Sequence, residues 1–546
     1  MQIDLEALPG DPAILQGMLR SVVGEQGVLH AENDKLRLLI QRLLRQQFGR
    51  RSEQLTLDQL QLGLEDLEQA IAAGEAAQDA TAAGLDEQRQ QRRTARPRRN
   101  HGALPAHLPR YEVVIDVENK ACPCCSGALH LIGEDRAEQL DIVPAQLRVR
   151  VTRRPRYGCR ACEGAVVVAP APDRLLDGGM ATEALVAHIV VAKFCDYLPL
   201  YRQAGMLGRQ GVILDRSTLA NWVGRACWWL TPLYDLVVST VLSSAKVFAD
   251  DTTLPVLDPG RGRTKTGRLW CYAVDDRPVS ASLTYLRRIA ARWCGPGHPA
   301  AAYAYSEDRK GERPAAHLAG FRGVLQVDGY AGFKRLAGDR KDSSVTLAFC
   351  WAHMRRRFYE FHAATKSPLA GEVLARIGKL YEVEADIRGQ PAEHRKQARQ
   401  ERSRPIVEAL HTWLQGHVGR VSAASGLAEA IRYALRHWPG LMVFLDDGRV
   451  EMDTNPVERA IRPVALNRKN TLFAGSDGGA RHWAVAMTLI QTAKLNGVEP
   501  MAYLTDVLQR VVSGRTKAHE LHTLLPWTWM PEPRAAVLPP REAVAA

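Results

Sequence analysis

The chain has 546 residues, 46% hydrophobic and 24% charged, which is ordinary for a folded globular protein and too long for one hydrophobic core. Lys and Arg outnumber Asp and Glu by 72 to 60, a net charge of +12 that suits a polyanionic partner. The acidic start Met1–Ala7 lacks a signal peptide's basic and apolar regions, and the most apolar run, Ala184 to Cys195, is short for a bilayer and contains His188 and Lys193. Ten cysteines without an export signal argue against a disulfide framework, so a cytoplasmic location is expected.

In chain order, Leu15, Val22, Leu29, Leu36 and Leu43 recur every seven residues, with Leu19, Asn33 and Ile40 at companion positions. This pattern fits a parallel coiled coil, and equally one amphipathic helix packed on its own protein. From about Ala76 to Arg110 the chain is rich in Ala, Gln and Arg (Arg89, Arg92, Arg93, Arg96, Arg98, Arg99), as a basic linker would be. Such a linker is either simply solvated or tracks DNA phosphates.

Two Cys-x-x-Cys knuckles follow, Cys122/Cys125 and Cys159/Cys162, with Cys124 as a competing donor. The alternating stretch Leu147–Val151 between them reads as a strand, and the whole as a zinc ribbon, because four thiolates close a tetrahedral site. Its arginines (Arg148, Arg150, Arg153, Arg154, Arg156) suggest contact with nucleic acid. Residues 182–232 are helical by period. Units beginning at Tyr197–Arg202 and at a Ser217 cap, separated by Gly205–Val212, resemble a helix-turn-helix, a pattern that generic helical packing also produces.

After Leu236 the pattern changes to strands. Lys246–Ala249 is a short run ending in Asp250-Asp251. Gly267–Asp275 and Val279–Leu286 are further strands, Ala315–Phe321 is helical, and Gly323–Val327 is a buried strand ending in Asp328. Strand, helix and strand in succession indicate an α/β domain. Residues 352 to about 445 are helical and charged, an insertion into that domain. At Asp453–Pro463 another helix starts, with Asn455 as the expected cap, Pro456 at its first position and Glu458 in its first turn. Glu458 fits a capping box, returning a hydrogen bond to the Asn455 amide. It also fits a third carboxylate joining Asp250 and Asp328, since side chains at strand ends of α/β sheets collect at ligand sites. Three crowded carboxylates need cations, and hard oxygen donors suit Mg²⁺ or Mn²⁺, two of which can promote phosphodiester cleavage. Cys350 and His353 are two donors, too few to close a zinc site.

Several motifs in order resemble the transposases of the insertion sequence 66 family: Phe48-Gly49-Arg50-Arg51-Ser52-Glu53, the two cysteine knuckles, Leu198-Pro199-Leu200-Tyr201-Arg202, Ala249-Asp250-Asp251-Thr252-Thr253, Val327-Asp328-Gly329-Tyr330, Cys350-Trp351-Ala352-His353, Asn455-Pro456-Val457-Glu458-Arg459 and Leu524-Leu525-Pro526-Trp527. The resemblance implies an RNase H-like catalytic core of DDE type with Asp250, Asp328 and Glu458 as catalytic, magnesium-binding residues. The family usually has Asp-Glu where this chain has Asp250-Asp251, so Asp250 is taken as the ligand and Asp251 as the fallback. It further implies DNA (element ends and target) as partner, paired catalytic subunits, and DNA strand cleavage and transfer, with accessory proteins of the same element as a further class of partner. A zinc-dependent DNA-binding protein with an inactive catalytic domain is the alternative.

The expected architecture is therefore multidomain α/β. It comprises a coiled-coil region (1–75), a basic linker (76–110), a zinc ribbon (111–170), a helical DNA-binding region (171–235), an RNase H-like core (236–500) with a helical insertion (352–450), and a tail (501–546).

Overall fold

The computed structural model describes residues 147–158, 166–176, 178–258, 260–276, 297–338 and 345–532. The heptad, the linker, the four ribbon cysteines and the expected strand at Val279–Leu286 lie outside these residues. The stretch Leu147–Val151, read as a strand, is irregular: Val149 and Val151 are exposed, and their alternation finds no strand partner among the described residues. A short antiparallel pair forms instead from β1 (Arg156–Gly158) and β2 (Val166–Val168).

Three helices come next: α1 (Glu183–Phe194), α2 (Leu200–Arg209) and α3 (Arg216–Leu242). Thr182 caps α1 by accepting the Leu185 amide. Asp215 holds the N-cap position of α3, so Ser217 falls inside the first turn rather than at the cap.

Five strands then make one mixed sheet: β3 (Lys246–Asp258), β4 (Arg263–Val274), β5 (Ala300–Ser306), β6 (Gly323–Val327) and β7 (Val345–Phe349), in the order β5-β4-β3-β6-β7. β3–β4 and β4–β5 are antiparallel, whereas β3–β6 and β6–β7 are parallel. Between β5 and β6 lies α4 (Glu312–His317), and between β6 and β7 lies α5 (Ala331–Gly338).

β3 runs well past the aspartates, so Asp250 lies within a strand and not at its end. Its antiparallel ladder with β4 continues from Phe248 to Asp258, while the parallel ladder with β6 stops at Phe248↔Gln326. What ends near Asp250 is the parallel pairing, and that is where a sheet of this kind opens into a crevice.

From β7 the chain passes through α6 (Trp351–Thr365), α7 (Pro368–Asp386), α8 (Ala392–Ala398), a π-helical turn (Arg399–Ser403), α9 (Arg404–Val418) and α10 (Gly426–Asp446). These helices have their own apolar core, including Phe358, Ile377, Leu410 and Phe444. Arg399, fully buried, is held by Glu384 at 2.6 Å and by the carbonyls of Phe444 and Val450. The excursion closes on itself, because the Trp351 amide donates to the Met452 carbonyl at 2.9 Å.

The chain then returns to the sheet as α11 (Asn455–Thr471), α12 (Asp477–Leu495) and α13 (Pro500–Val512). Ser476 caps α12, and Thr488 of that helix accepts the Tyr303 amide of β5 at 2.9 Å. Buried apolar residues of α1, α3, α11, α12 and α13 join those of the sheet in one core. Among the described residues, no helix is long and apolar enough to cross a membrane.

Candidate active site

Strand register sets the first half of the site. Phe248 faces Gln326 across the parallel pair, so two residues further on Asp250 and Asp328 come level. Val327 faces Phe349, which brings Cys350 level with Asp328 on the next strand.

The alternation of side chains then separates the two aspartates of the Asp250-Asp251 pair. Residues directly opposite across a ladder share a face, so Asp250 belongs with Cys271 and Tyr303, and Tyr303 donates through its hydroxyl to the Ala460 carbonyl of α11 at 2.5 Å. Thr252, two residues on, accepts from Arg468 of the same helix at 3.0 Å. Asp250 thus faces the helix that carries Glu458. Asp251 lies on the other face with Trp270. There it accepts from Arg268 at 3.1 Å and from Arg309 at 2.9 Å, and Arg309 in turn stacks on the Tyr330 ring at 4.2 Å.

Electrostatics follow the same division. Asp250 has a pKa raised well above the usual carboxylate range, first by burial and then by the charges of Asp328 and Asp251, with His353 opposing. Burial also raises Asp251, and there Arg309 and Arg268 oppose the rise.

Asp328 is placed by its loop. Its Oδ1 accepts the Tyr330 amide at 2.9 Å, and its carbonyl accepts the Tyr433 hydroxyl of α10 at 3.0 Å. Gly329 between them has φ +101°, and a Cβ there would stand 2.7 Å from the Tyr433 hydroxyl, so the turn needs glycine on both counts.

The helix start at 455 is where the sequence puts it, but Thr454, not Asn455, holds the N-cap position. Glu458 is 5% exposed and accepts the Thr454 hydroxyl at 2.9 Å. Its other neighbours are Cys350 and His353: one donor atom from each of the three lies within 4.8 Å of the others. Two further residues, not foreseen from sequence, complete the surroundings. Asp453 accepts from the Ala352 amide at 2.9 Å and from Tyr381 of α7 at 3.0 Å, and burial raises its pKa to about 6. Its place five residues before Glu458 was the only sequence signal, and Tyr381, in the distant helical segment, had none.

The structure therefore sets Asp250 level with Asp328, and groups Glu458 with Cys350 and His353. A carboxylate whose pKa is raised by burial and by the charge of a second carboxylate level with it is a fitting seat for a divalent cation, with Asp250 and Asp328 as hard oxygen donors.

Comparison with known proteins agrees along the chain. The family model described as "Transposase IS66 family" matches residues 178–482, which include Asp250, Asp328 and Glu458. That of the zinc-finger binding domain of transposase IS66 matches 119–163, spanning Cys122, Cys125, Cys159 and Cys162. Those described as "Transposase C of IS166 homeodomain" and "IS66 C-terminal element" match 35–113 and 488–527. Uncharacterized protein y4jD of Sinorhizobium fredii is 49% identical over 97% of this chain and 98% of its own. Uncharacterized proteins y4qI and y4hP of the same organism are 42% and 39% identical, over 90% and 92% of this chain and 88% and 90% of their own. With one family model covering more than half its length and others flanking it, the chain belongs to the IS66 transposase family.

Proposed function

We propose that this chain binds the terminal inverted repeats of an insertion sequence and catalyses metal-dependent cleavage and transfer of DNA strands, with the five-stranded sheet as an RNase H-like core. The observation that carries this reading is the level placement of Asp250 and Asp328 at the end of the parallel ladder, on the sheet face covered by the helix of Glu458. In this reading Asp250 and Asp328 hold the cation, Glu458 completes the set, and Asp251 is a brace. Bound Mg²⁺ or Mn²⁺ would activate the attacking oxygen and stabilise the leaving one. The chain's own residues fix the donors: the Tyr330 amide and Tyr433 hydroxyl orient the Asp328 loop, and the Thr454 hydroxyl orients Glu458.

The remaining parts are assigned to DNA and assembly. Cys122, Cys125, Cys159 and Cys162 hold one zinc ion in the ribbon, which with α1–α3 contacts the element ends. The N-terminal heptad pairs two chains. The competing reading, DNA binding with an inactive catalytic region, leaves unexplained why Asp328 stands level with Asp250 and raises its pKa further, since a merely structural core is more stable without such crowding.

Glu458→Gln tests the assignment. Glutamine still accepts the Thr454 hydroxyl, so folding and binding to the repeat ends should persist, while Mn²⁺-dependent nicking of those ends should collapse because the amide supplies no charge to a cation. Near-parental nicking by the variant would remove Glu458 from the catalytic set.

A further inference from the structure

Cys350 sits at the N-cap of α6, directly after β7, and His353 lies in that helix's first turn, so a Cys-x-x-His pair projects from one helix start. Two donors alone do not make a zinc site. The fold adds a third, since α11 brings Glu458 from more than a hundred residues away, and one donor atom of each side chain lies within 4.8 Å of the other two. Donors on a tetrahedral zinc ion stand about 3.2–3.7 Å apart given bond lengths of about 2.0–2.3 Å, so small rotamer shifts would close the set. His353 Nδ1 is buried and has no hydrogen-bond partner among the described residues, an omission that is costly unless something else engages it. The donors differ in kind from those at Asp250 and Asp328. Sulfur and imidazole suit Zn²⁺ and its neighbours in the transition series, whereas Mg²⁺ takes oxygen. A built surround is present too, because Asp453 stands 3.8 Å from the Cys350 sulfur and is itself fixed by the Ala352 amide and Tyr381.

We propose that Cys350, His353 and Glu458 form a three-donor site for a borderline-soft divalent ion such as Zn²⁺, and that an ion held there inhibits DNA cleavage by drawing Glu458 out of the oxygen-donor set. Three protein ligands and one open position is the pattern of an exchangeable zinc site, not of a closed structural one. The inhibitory part rests on the catalytic reading of Glu458 given above, and the binding part does not.

Metal content of the full-length chain tests the binding. After refilling with Zn²⁺ and removal of excess, Cys350→Ser and His353→Ala should each carry one ion fewer than the parent. With Co²⁺ as probe, Cys350→Ser should lose part of the thiolate-to-cobalt absorption while the contribution of the ribbon cysteines stays. The two variants remove different donors, one buried and one half-buried, so failure of one to fold leaves the other to decide. Metal content equal to the parent's in a folded variant overturns the site.

Inhibition is read separately, as Mg²⁺-dependent nicking of element ends against added Zn²⁺, each protein normalised to its own zinc-free rate. The half-inhibiting zinc concentration should rise about 10-fold or more in Cys350→Ser. Equal inhibition of parent and variant overturns the regulatory role. A parent that binds the extra ion and never nicks overturns the catalytic reading instead, and leaves the metal site standing.

Discussion

Asp250 and Asp251 are neighbours in sequence and belong to opposite faces of one sheet, and the two faces treat a buried carboxylate in opposite ways. Below Asp251, Arg268 and Arg309 supply the missing charge, and Tyr330, Trp270 and His317 pack around them. Above Asp250 the next charges are carboxylates, Asp328 first, and they add to the rise in pKa that burial imposes, where the arginines beside Asp251 oppose it. A face that neutralises its acid is complete as folded. A face that gathers acids together is, in the proposed reading, completed by a cation, and on that reading the asymmetry makes Asp250 the ligand and Asp251, the fallback by sequence, the brace.

Substitutions on the two faces should therefore part company. The largest effect is expected for Asp250→Asn or Asp328→Asn. Nicking of element ends should fall by at least about 100-fold, since charge placed for the transition state is lost. In chelator the same variants should melt no lower than the parent, because like-charge crowding is relieved. A variant that nicks normally, or that melts far lower without metal, would erase the distinction between the faces.

Asp251→Asn should behave the other way round, losing stability rather than chemistry. It strands two arginines, and because both are partly exposed the expected loss is about 1–3 kcal/mol, measurable by denaturant unfolding without metal. Loss of nicking in this variant with unchanged stability would make Asp251 the ligand after all.

An effect of similar size, on stability alone, sharpens the contrast through pH. His317, on the Asp251 face, pairs with the Tyr272 hydroxyl at 2.9 Å, and burial lowers its pKa to about 4. The unfolded chain takes up this proton first, near pH 6.5, so the stability contribution is full above about 6.5 and is lost as pH falls toward 4. About 2–3 kcal/mol should be lost across that window, and His317→Gln should flatten the profile there. Asp250 carries the opposite sign. Its raised pKa makes the metal-free protein lose stability as pH climbs above the ordinary aspartate range. An unchanged profile for His317→Gln would remove the histidine from this balance.

Much of the candidate site was legible because its residues lie beside strong local signals. Gly323–Val327 is a mostly apolar run followed by Asp328, and Pro456 marks a helix start one residue after Asn455, the cap expected from sequence. What could not be read was set by distant partners. β3 extends beyond Asp250 because β4 pairs with it that far, a fact that Thr252, Thr253 and Pro255 do not announce. β5 (Ala300–Ser306) is alanine-rich and weak in strand propensity, and it is held between β4 and the hydroxyls of Thr488 and Thr492 on α12. Thr454 displaced Asn455 as the cap residue, with its hydroxyl engaged by Glu458. The meeting of Glu458 with Cys350 and His353 depends on the chain returning through five helices, which no local pattern encodes.

That return path also has a consequence in time. A ribosome adding about 5–20 residues per second finishes β3 and β6 well before α11, so Asp250 waits about 10–40 s for Glu458 to exist. During that interval the strands and both aspartates have been made and the helical excursion is still unclosed, because Met452, which accepts the Trp351 amide, has yet to emerge. With Glu458 in the role proposed for it, an incomplete chain carries two of the three carboxylates and no means of cutting DNA. On that reading synthesis itself acts as a safety catch, released only when the polypeptide has passed α11.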